Sequence, residues 1–205
     1  VYDKAKPLLG EGLVTSDGEE WRTARRLMQP AFRRERLAAL APSMVEETLR
    51  LVEQWQPIAG SGKPVDVFRA MMLLTQTIIV RTMLGTDIGD RDRVVASSFE
   101  SALAYLNAAL LNPFSFMEKL PTPTNIRFRR ALRLLDGVIY DIISERRTQQ
   151  NFGEDLVSLM VQAHDDESGA VMSDRQIRDQ VMTIFLAGHE TTASLLSWTF
   201  YELSR

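Results

Sequence analysis

Two short groups of residues in this sequence have types and spacings suited to chemistry. The first is Ala187-Gly188-His189-Glu190-Thr191-Thr192, set within a long apolar helical stretch that runs to Arg205. Glycine disfavours a helix interior by about 1 kcal/mol relative to alanine, and threonine is only a middling helix former. A carboxylate inside a buried helix needs a partner or a changed pKa. Local rules broken together in one place point to function. Ala187 and Thr191 are four apart and share one helix face, with Gly188 beside them. The two small residues leave a shallow trough where a planar ligand fits against backbone. The Thr191 hydroxyl either bonds back to the Ala187 carbonyl, loosening the turn, or donates to a ligand. Glu190 is offset from Thr191 by about 100° and faces elsewhere, where it would feed protons from water to the hydroxyl. The competing reading is a helix–helix contact built on small residues. His189 taken alone reads as an ordinary polar helix residue.

The second group is Trp21 and Arg25, again four apart on one helix face. Both are pure hydrogen-bond donors, an indole N–H and a guanidinium fork. Two converging donors fit a carboxylate, which arginine grips through two bonds. The plainer alternative is a surface cation–π pair.

The elements that must position these groups are nearly all helical. Asp17-Gly18 precedes a helix over about 19–29, ended by Pro30. Pro42 suits the first turn of a second helix reaching Gln56. Val65 and Val67 alternate with polar neighbours, which predicts a short strand over 63–67. Further helices are expected over 68–84, stopped by Gly85, and over 90–111, 125–150 and 154–163. A loop rich in proline and phenylalanine covers 112–124, and a polar turn covers 165–169. Ser173 and Gln176 have capping-box spacing, so the last helix starts at Asp174. Ile177, Val181, Ile184, Gly188, Leu195 and Leu196 mark its apolar face, and the stretch from Val181 to Gly188 reads as buried all round. No stop signal precedes Arg205, so the chain reads as cut rather than finished.

From Gly12 through Phe32 (GLVTSDGEEWRTARRLMQPAF), and again from Phe185 to Trp198 (FLAGHETTASLLSW), the sequence resembles the cytochrome P-450 superfamily of heme-thiolate monooxygenases. Trp21 and Arg25 match its W-x-x-x-R element, and Ala187 through Thr192 match A-G-x-E-T-T. The resemblance implies a mainly α, partial cytochrome P-450 fold with helices C through I and little or no sheet. Residues 1–205 would be one incomplete domain. Trp21 and Arg25 would hold a heme propionate, and Ala187 and Gly188 would border the distal heme face. Thr191 would stabilise the iron–peroxo species by hydrogen bonding, and Glu190 would help relay solvent protons. One oxygen atom from O2 would be inserted into a hydrophobic, fatty-acid-like or other apolar substrate. Electrons would come from a ferredoxin, a flavodoxin or a reductase domain. Phe114, Phe116 and Met117 would lie near the substrate entrance. Arg22, Arg26, Arg33 and Arg34 would face the electron donor.

The family's iron ligand is a cysteine and its E-x-x-R pair precedes it. The chain holds no cysteine, so no metal ligand is assigned here and the 205 residues alone are expected to be inactive. Two other readings stay open: an all-α ligand-binding regulator, and a non-catalytic relative that kept the fold. A regulator would need a basic DNA-reading helix pair near one end. The amino-terminal stretch instead carries Gly10, Gly12 and Gly18 with Asp17, Glu19 and Glu20.

Composition agrees with an ordinary globular domain, at 45% hydrophobic and 25% charged residues. The net charge of −3 gives no reason to expect nucleic-acid binding. Charge is nonetheless uneven. Residues 19–36 carry six Arg against three Glu, while residues 153–190 carry eight acids against two Arg. Solvated helix faces or a basic docking surface for an acidic protein both account for this. No run is read as long enough to span a membrane, because Thr75, Gln76 and Thr77 interrupt 71–80. A cytoplasmic location is expected, with room left for an anchor upstream of Val1.

Overall fold

The computed structural model describes residues 4–85, 91–111, 120–149, 152–165 and 169–205. The helices in order are α1 (Lys6–Leu9), α2 (Gly18–Met28), α3 (Arg34–Trp55), α4 (Val67–Leu84), α5 (Arg91–Leu111), α6 (Pro123–Gln149), α7 (Leu156–Gln162) and α8 (Asp174–Leu203). A 3₁₀ turn, Gln29–Phe32, links α2 to α3. Among the described residues the only β pairing is an isolated antiparallel bridge between His164 and Val171. The mainly α expectation therefore stands. Phe114, Phe116 and Met117 lie outside the described residues.

Caps explain most boundaries. Ser173 accepts from the Gln176 amide while Gln176 reaches back to the Ser173 amide, so two orphan donors at the start of α8 are satisfied. Asp66 accepts from the Arg69 amide and starts α4. Gly85, at φ 94°, ends it in a conformation that side chains rarely adopt.

Two expectations fail here. The strand over 63–67 is absent, because the Asp66 cap draws Val67 into the first turn of α4. Pro42 lies inside α3, eight residues past its start, rather than in a first turn. Proline removes a bond to the Ala38 carbonyl. Both residues are exposed, so water satisfies that oxygen and the helix continues.

The core is a bundle in which α8 packs against α4, and α6 against α5. Its centre includes Met83, Phe99, Leu135, Ile139, Ile143, Val157, Ile177, Met182 and Phe185, all at most 2% exposed. Phe99 of α5 and Phe185 of α8 stack face to face. Burying a side chain of this kind stabilises by about 1.5–3 kcal/mol.

With 18 residues and a mean hydropathy of 1.4, α4 is long and apolar enough by composition to cross a bilayer. That corrects the expectation of no such run. Two of the interrupting polar residues, Thr75 and Gln76, are themselves buried and hydrogen-bonded within the protein.

The amino-terminal segment is locked to the first half of α8 by polar contacts. The Glu11 amide donates to Asp179 Oδ2 (2.9 Å), and the Leu13 amide to Gln180 Oε1 (3.0 Å). Arg178 bridges Asp136 of α6 (2.7 Å), Asp179 (2.9 Å) and the Leu8 carbonyl (3.0 Å). Gly12 packs so closely that a Cβ there would lie 1.9 Å from Thr183 Oγ1 and 2.8 Å from the Asp179 carbonyl oxygen. Only glycine lets the loop approach.

Candidate cofactor and oxygen site

Helix α2 buries one face and carries Trp21 and Arg25 along its flank. Ala24, Leu27 and Met28 are buried and hold it to the core. Trp21, beside Met28 on the helix, is half-buried, and Arg25 one turn on is exposed. The acidic Glu19 and Glu20 in its first turn complement the positive end of the helix dipole. The Arg25 guanidinium carbon sits 5.3 Å from the centroid of the Trp21 ring.

The three arginines of α2 have different surroundings. Arg22 pairs with Glu19 at 3.2 Å and Arg26 with Asp165 at 3.0 Å. Arg25 has no acidic partner among the described residues. A guanidinium carries five donors and cannot lose its charge. The stacked pair therefore presents an open cation and an indole N–H suited to an incoming carboxylate. Arg26, expected to face an electron donor, is instead drawn to Asp165, whose side chain is 5% exposed. Arg33 and Arg34 are exposed.

On α8 the burial changes partway along. Ile177 to Thr183 and Phe185 are buried and Ile184 is half-buried, whereas Ala187, Glu190, Thr191 and Thr192 are exposed. The expectation of a helix buried all round from Val181 to Gly188 holds only as far as Thr183, with Phe185 buried beyond it. Leu195, expected on the apolar face, is 67% exposed. Glu190 is thus not a buried carboxylate. It makes no ion pair among the described residues and faces water.

The Thr191 hydroxyl donates to the Ala187 carbonyl in a short hydrogen bond. Of the two options open in the sequence, the structure shows the back-bond. Gly188 is half-buried and turned partly toward α4, where an added Cβ would lie 3.0 Å from Ile79 Cδ1. Its lack of a side chain lets the two helices approach.

His189, read from sequence as an ordinary polar residue, is 1% exposed and belongs to the core. Its pKa is lowered from the usual 6.5, first because burial penalises the imidazolium; the Met72 backbone hydrogen bond and Glu190 and Glu100 partly oppose this. The adjacent charges at Arg178 and Asp179, flanked by Ile177 and Val181, were the available signal for the buried ionic network.

The structure brings Trp21 to Arg25 and Ala187 to Thr191. Among the described residues no hydrogen bond joins the two clusters directly. They are related through the docked loop: Leu13 binds Gln180, which lies seven residues, about 10 Å along the axis, before Ala187. A groove of about 550 Å³ between α3 and α4, lined by Arg50, Trp55, Asp66, Arg69 and Leu73, contains none of these residues.

The residues present fit a planar group with acidic arms. Arg25 and Trp21 supply unspent donors, and Ala187 and Thr191 supply an uncovered helix face of small side chains. Among the described residues no His, Cys, Asp or Glu cluster is suited to holding a metal ion by itself.

The chain is 37% identical over its whole length to cyclooctatin synthase of Streptomyces melanosporofaciens, covering 44% of that protein. It is 35% identical over its whole length to pentalenene oxygenase of Streptomyces avermitilis, again covering 44%. The crystal structure of the cytochrome P450DA heme domain superposes with a TM-score of 0.86 at 30% identity, over 100% of this chain and 45% of that one. The chain thus spans less than half the length of these relatives. The sequence profile of cytochrome P450 matches residues 1–205, and the chain belongs to that family.

Proposed function

We propose that the protein containing this chain is a heme-dependent monooxygenase that inserts one atom of O2 into an apolar organic substrate. The observation that carries this reading is Arg25, stacked on Trp21 and without an acid while its neighbours Arg22 and Arg26 are paired. The resemblance to pentalenene oxygenase supports an apolar, hydrocarbon-rich substrate. The A-G-H-E-T-T form supports a fatty-acid-like one within the same broad class.

When bound, the heme supplies the activation of O2. The chain's own residues bind, orient and move protons. Arg25 and the Trp21 indole N–H bind a propionate carboxylate, the guanidinium through charge-assisted bonds. Ala187 keeps side-chain bulk away from the distal side. Thr191 holds its hydroxyl proton on the Ala187 carbonyl and swings it toward the oxygen site when a better acceptor is there. Glu190, exposed to water, collects protons for that hydroxyl. Arg33 and Arg34 attract an acidic electron-donor protein.

The cysteine ligand is not among these 205 residues, so the fragment alone forms no thiolate-ligated heme. Hemin added to the isolated residues and reduced under carbon monoxide gives no thiolate-type absorbance band; such a band would overturn that part. In the full-length enzyme, Thr191→Ala raises peroxide release per electron consumed. Unchanged coupling removes Thr191 from the relay.

A further inference from the structure

The loop before α2 follows α8 residue by residue. The amides of Glu11 and Leu13 donate to Asp179 and Gln180, and Gly12 between them lies against Thr183. At Gly10, φ 59°, an added Cβ would fall 2.1 Å from the Asp179 carboxylate. Asp179, Gln180 and Thr183 are all buried, Gln180 completely. Arg178 holds Asp179 in place. Its Nη1 donates to Asp179 Oδ1 and to the Leu8 carbonyl, while Asp179 Oδ2 accepts from Glu11. Among the described residues Gln180 Nε2 has no partner. An orphan buried donor is unfavourable, so what this amide contributes is its oxygen.

The loop is stiff on the side that leads to α2. The Gly12 carbonyl accepts from the Thr15 amide, the Ser16 amide and the Ser16 hydroxyl, each at 2.9 Å. Thr15 Oγ1 donates back to the Gly10 carbonyl at 2.7 Å and closes the turn. Asp17 follows at once, and its carbonyl accepts from the Trp21 amide. Among the described residues α2 packs most closely on the 3₁₀ turn after it, not on α8. Burial of Ala24, Leu27 and Met28 chooses which face of α2 points inward. Apolar burial has no direction of its own, so it does not fix how far along α8 the helix sits. The hydrogen-bonded loop supplies that register.

We propose that Asp179 and Gln180 are positioning residues: by seating the loop they set where Trp21 and Arg25 stand relative to Ala187 and Thr191. This rests on the heme reading of both clusters. A contact that only stabilised the fold would act whether or not Trp21 and Arg25 were present. A contact that acts through those two donors has nothing left to act on once they are removed.

The test is a double-mutant cycle on the full-length, heme-loaded enzyme, read as the rate of heme transfer to excess apomyoglobin. Gln180→Met keeps the length of the side chain and loses the oxygen. In the native background it should speed transfer by about 2- to 12-fold, the range set by one neutral hydrogen bond. In a Trp21→Phe, Arg25→Ala background the same change should have a smaller effect or none. An equal or larger acceleration there, or no acceleration in the native background, overturns the proposal. If Gln180→Met does not fold, Thr15→Val decides by the same comparison, since it removes the hydroxyl bonds of the turn and leaves Gln180 unchanged. If Trp21→Phe with Arg25→Ala does not itself speed transfer, the heme reading of α2 falls instead.

Discussion

Arg25 is stacked over the Trp21 ring, 5.3 Å from its centroid, so two donors on neighbouring turns of α2 are set side by side before any acid reaches them. In the full-length enzyme Arg25→Ala should weaken heme retention about 10- to 150-fold, matching about 1.5–3 kcal/mol for a hydrogen bond to a charged group. Trp21→Phe keeps a ring and loses the N–H, and should weaken it by about fivefold. Heme transfer to excess apomyoglobin measures both. An equal loss from Arg22→Ala would show a general effect of surface charge instead.

The glycines divide by what a side chain would meet. Gly12→Ala places a methyl group against Thr183 and the Asp179 backbone and should destabilise by about 1–3 kcal/mol. Gly137, within α6 and with nothing near its absent Cβ, behaves oppositely. Gly137→Ala should stabilise by about 0.5–1 kcal/mol through helix propensity. Urea titrations of the two variants check the contrast, which fails if the two shifts share a sign.

Arginines one turn apart on α2 should differ in both stability and partner binding. Arg26→Ala strips a cation from the nearly buried Asp165 and should reduce stability by about 1–2 kcal/mol. Arg22→Ala breaks an exposed pair and should change it by less than about 1 kcal/mol. Reversing charge at Arg33 and Arg34 should slow electron-donor association and flatten its salt dependence, with stability unchanged. Stopped-flow reduction across a salt series reads this, and an unaltered rate and slope would remove these arginines from the docking surface.

Acid should weaken the α4–α8 contact. His189 has a lowered pKa in the fold, so it is neutral there while the unfolded chain titrates near 6.5. The unfolded state takes up its proton first. The stability from a neutral His189 is therefore fully present above about pH 6.5 and falls as pH drops, by at most about 1.4 kcal/mol per unit, until the folded value is passed. Glu190 and Glu100 lessen the shift. Urea midpoints at pH 7.5 and 5.5 should converge in His189→Gln. An identical pH slope in both proteins would exclude His189 as the source.

What was legible in the sequence follows the range of each physical effect. Ser173 with Gln176, Gly85 and Pro30 act within one turn, and the elements they bound emerged as expected. Val65 and Val67 alternate as in a strand, but a cap at Asp66 decided the matter one residue away. Pro42 does not mark a first turn, because whether Ala38 faces water depends on the packing of α3, not on the neighbouring letters. The candidate residues themselves were visible as types and spacings. Which are exposed is not: the pattern puts Glu190 in a buried helix and it lies at the surface, while His189 looks ordinary and lies in the core. A single histidine carries no periodic signal that says which side of a helix meets a neighbour.

The docking of Glu11 onto Asp179 spans 168 positions of the chain. During synthesis on a ribosome, the segment around Glu11 emerges long before its seat exists. Closing so wide a span is entropically only modestly harder than closing half of it, by about 0.6 kcal/mol per doubling, but such distant pairings form late. The loop beside Trp21 therefore waits for its seat until the helix bearing Thr191 has been made.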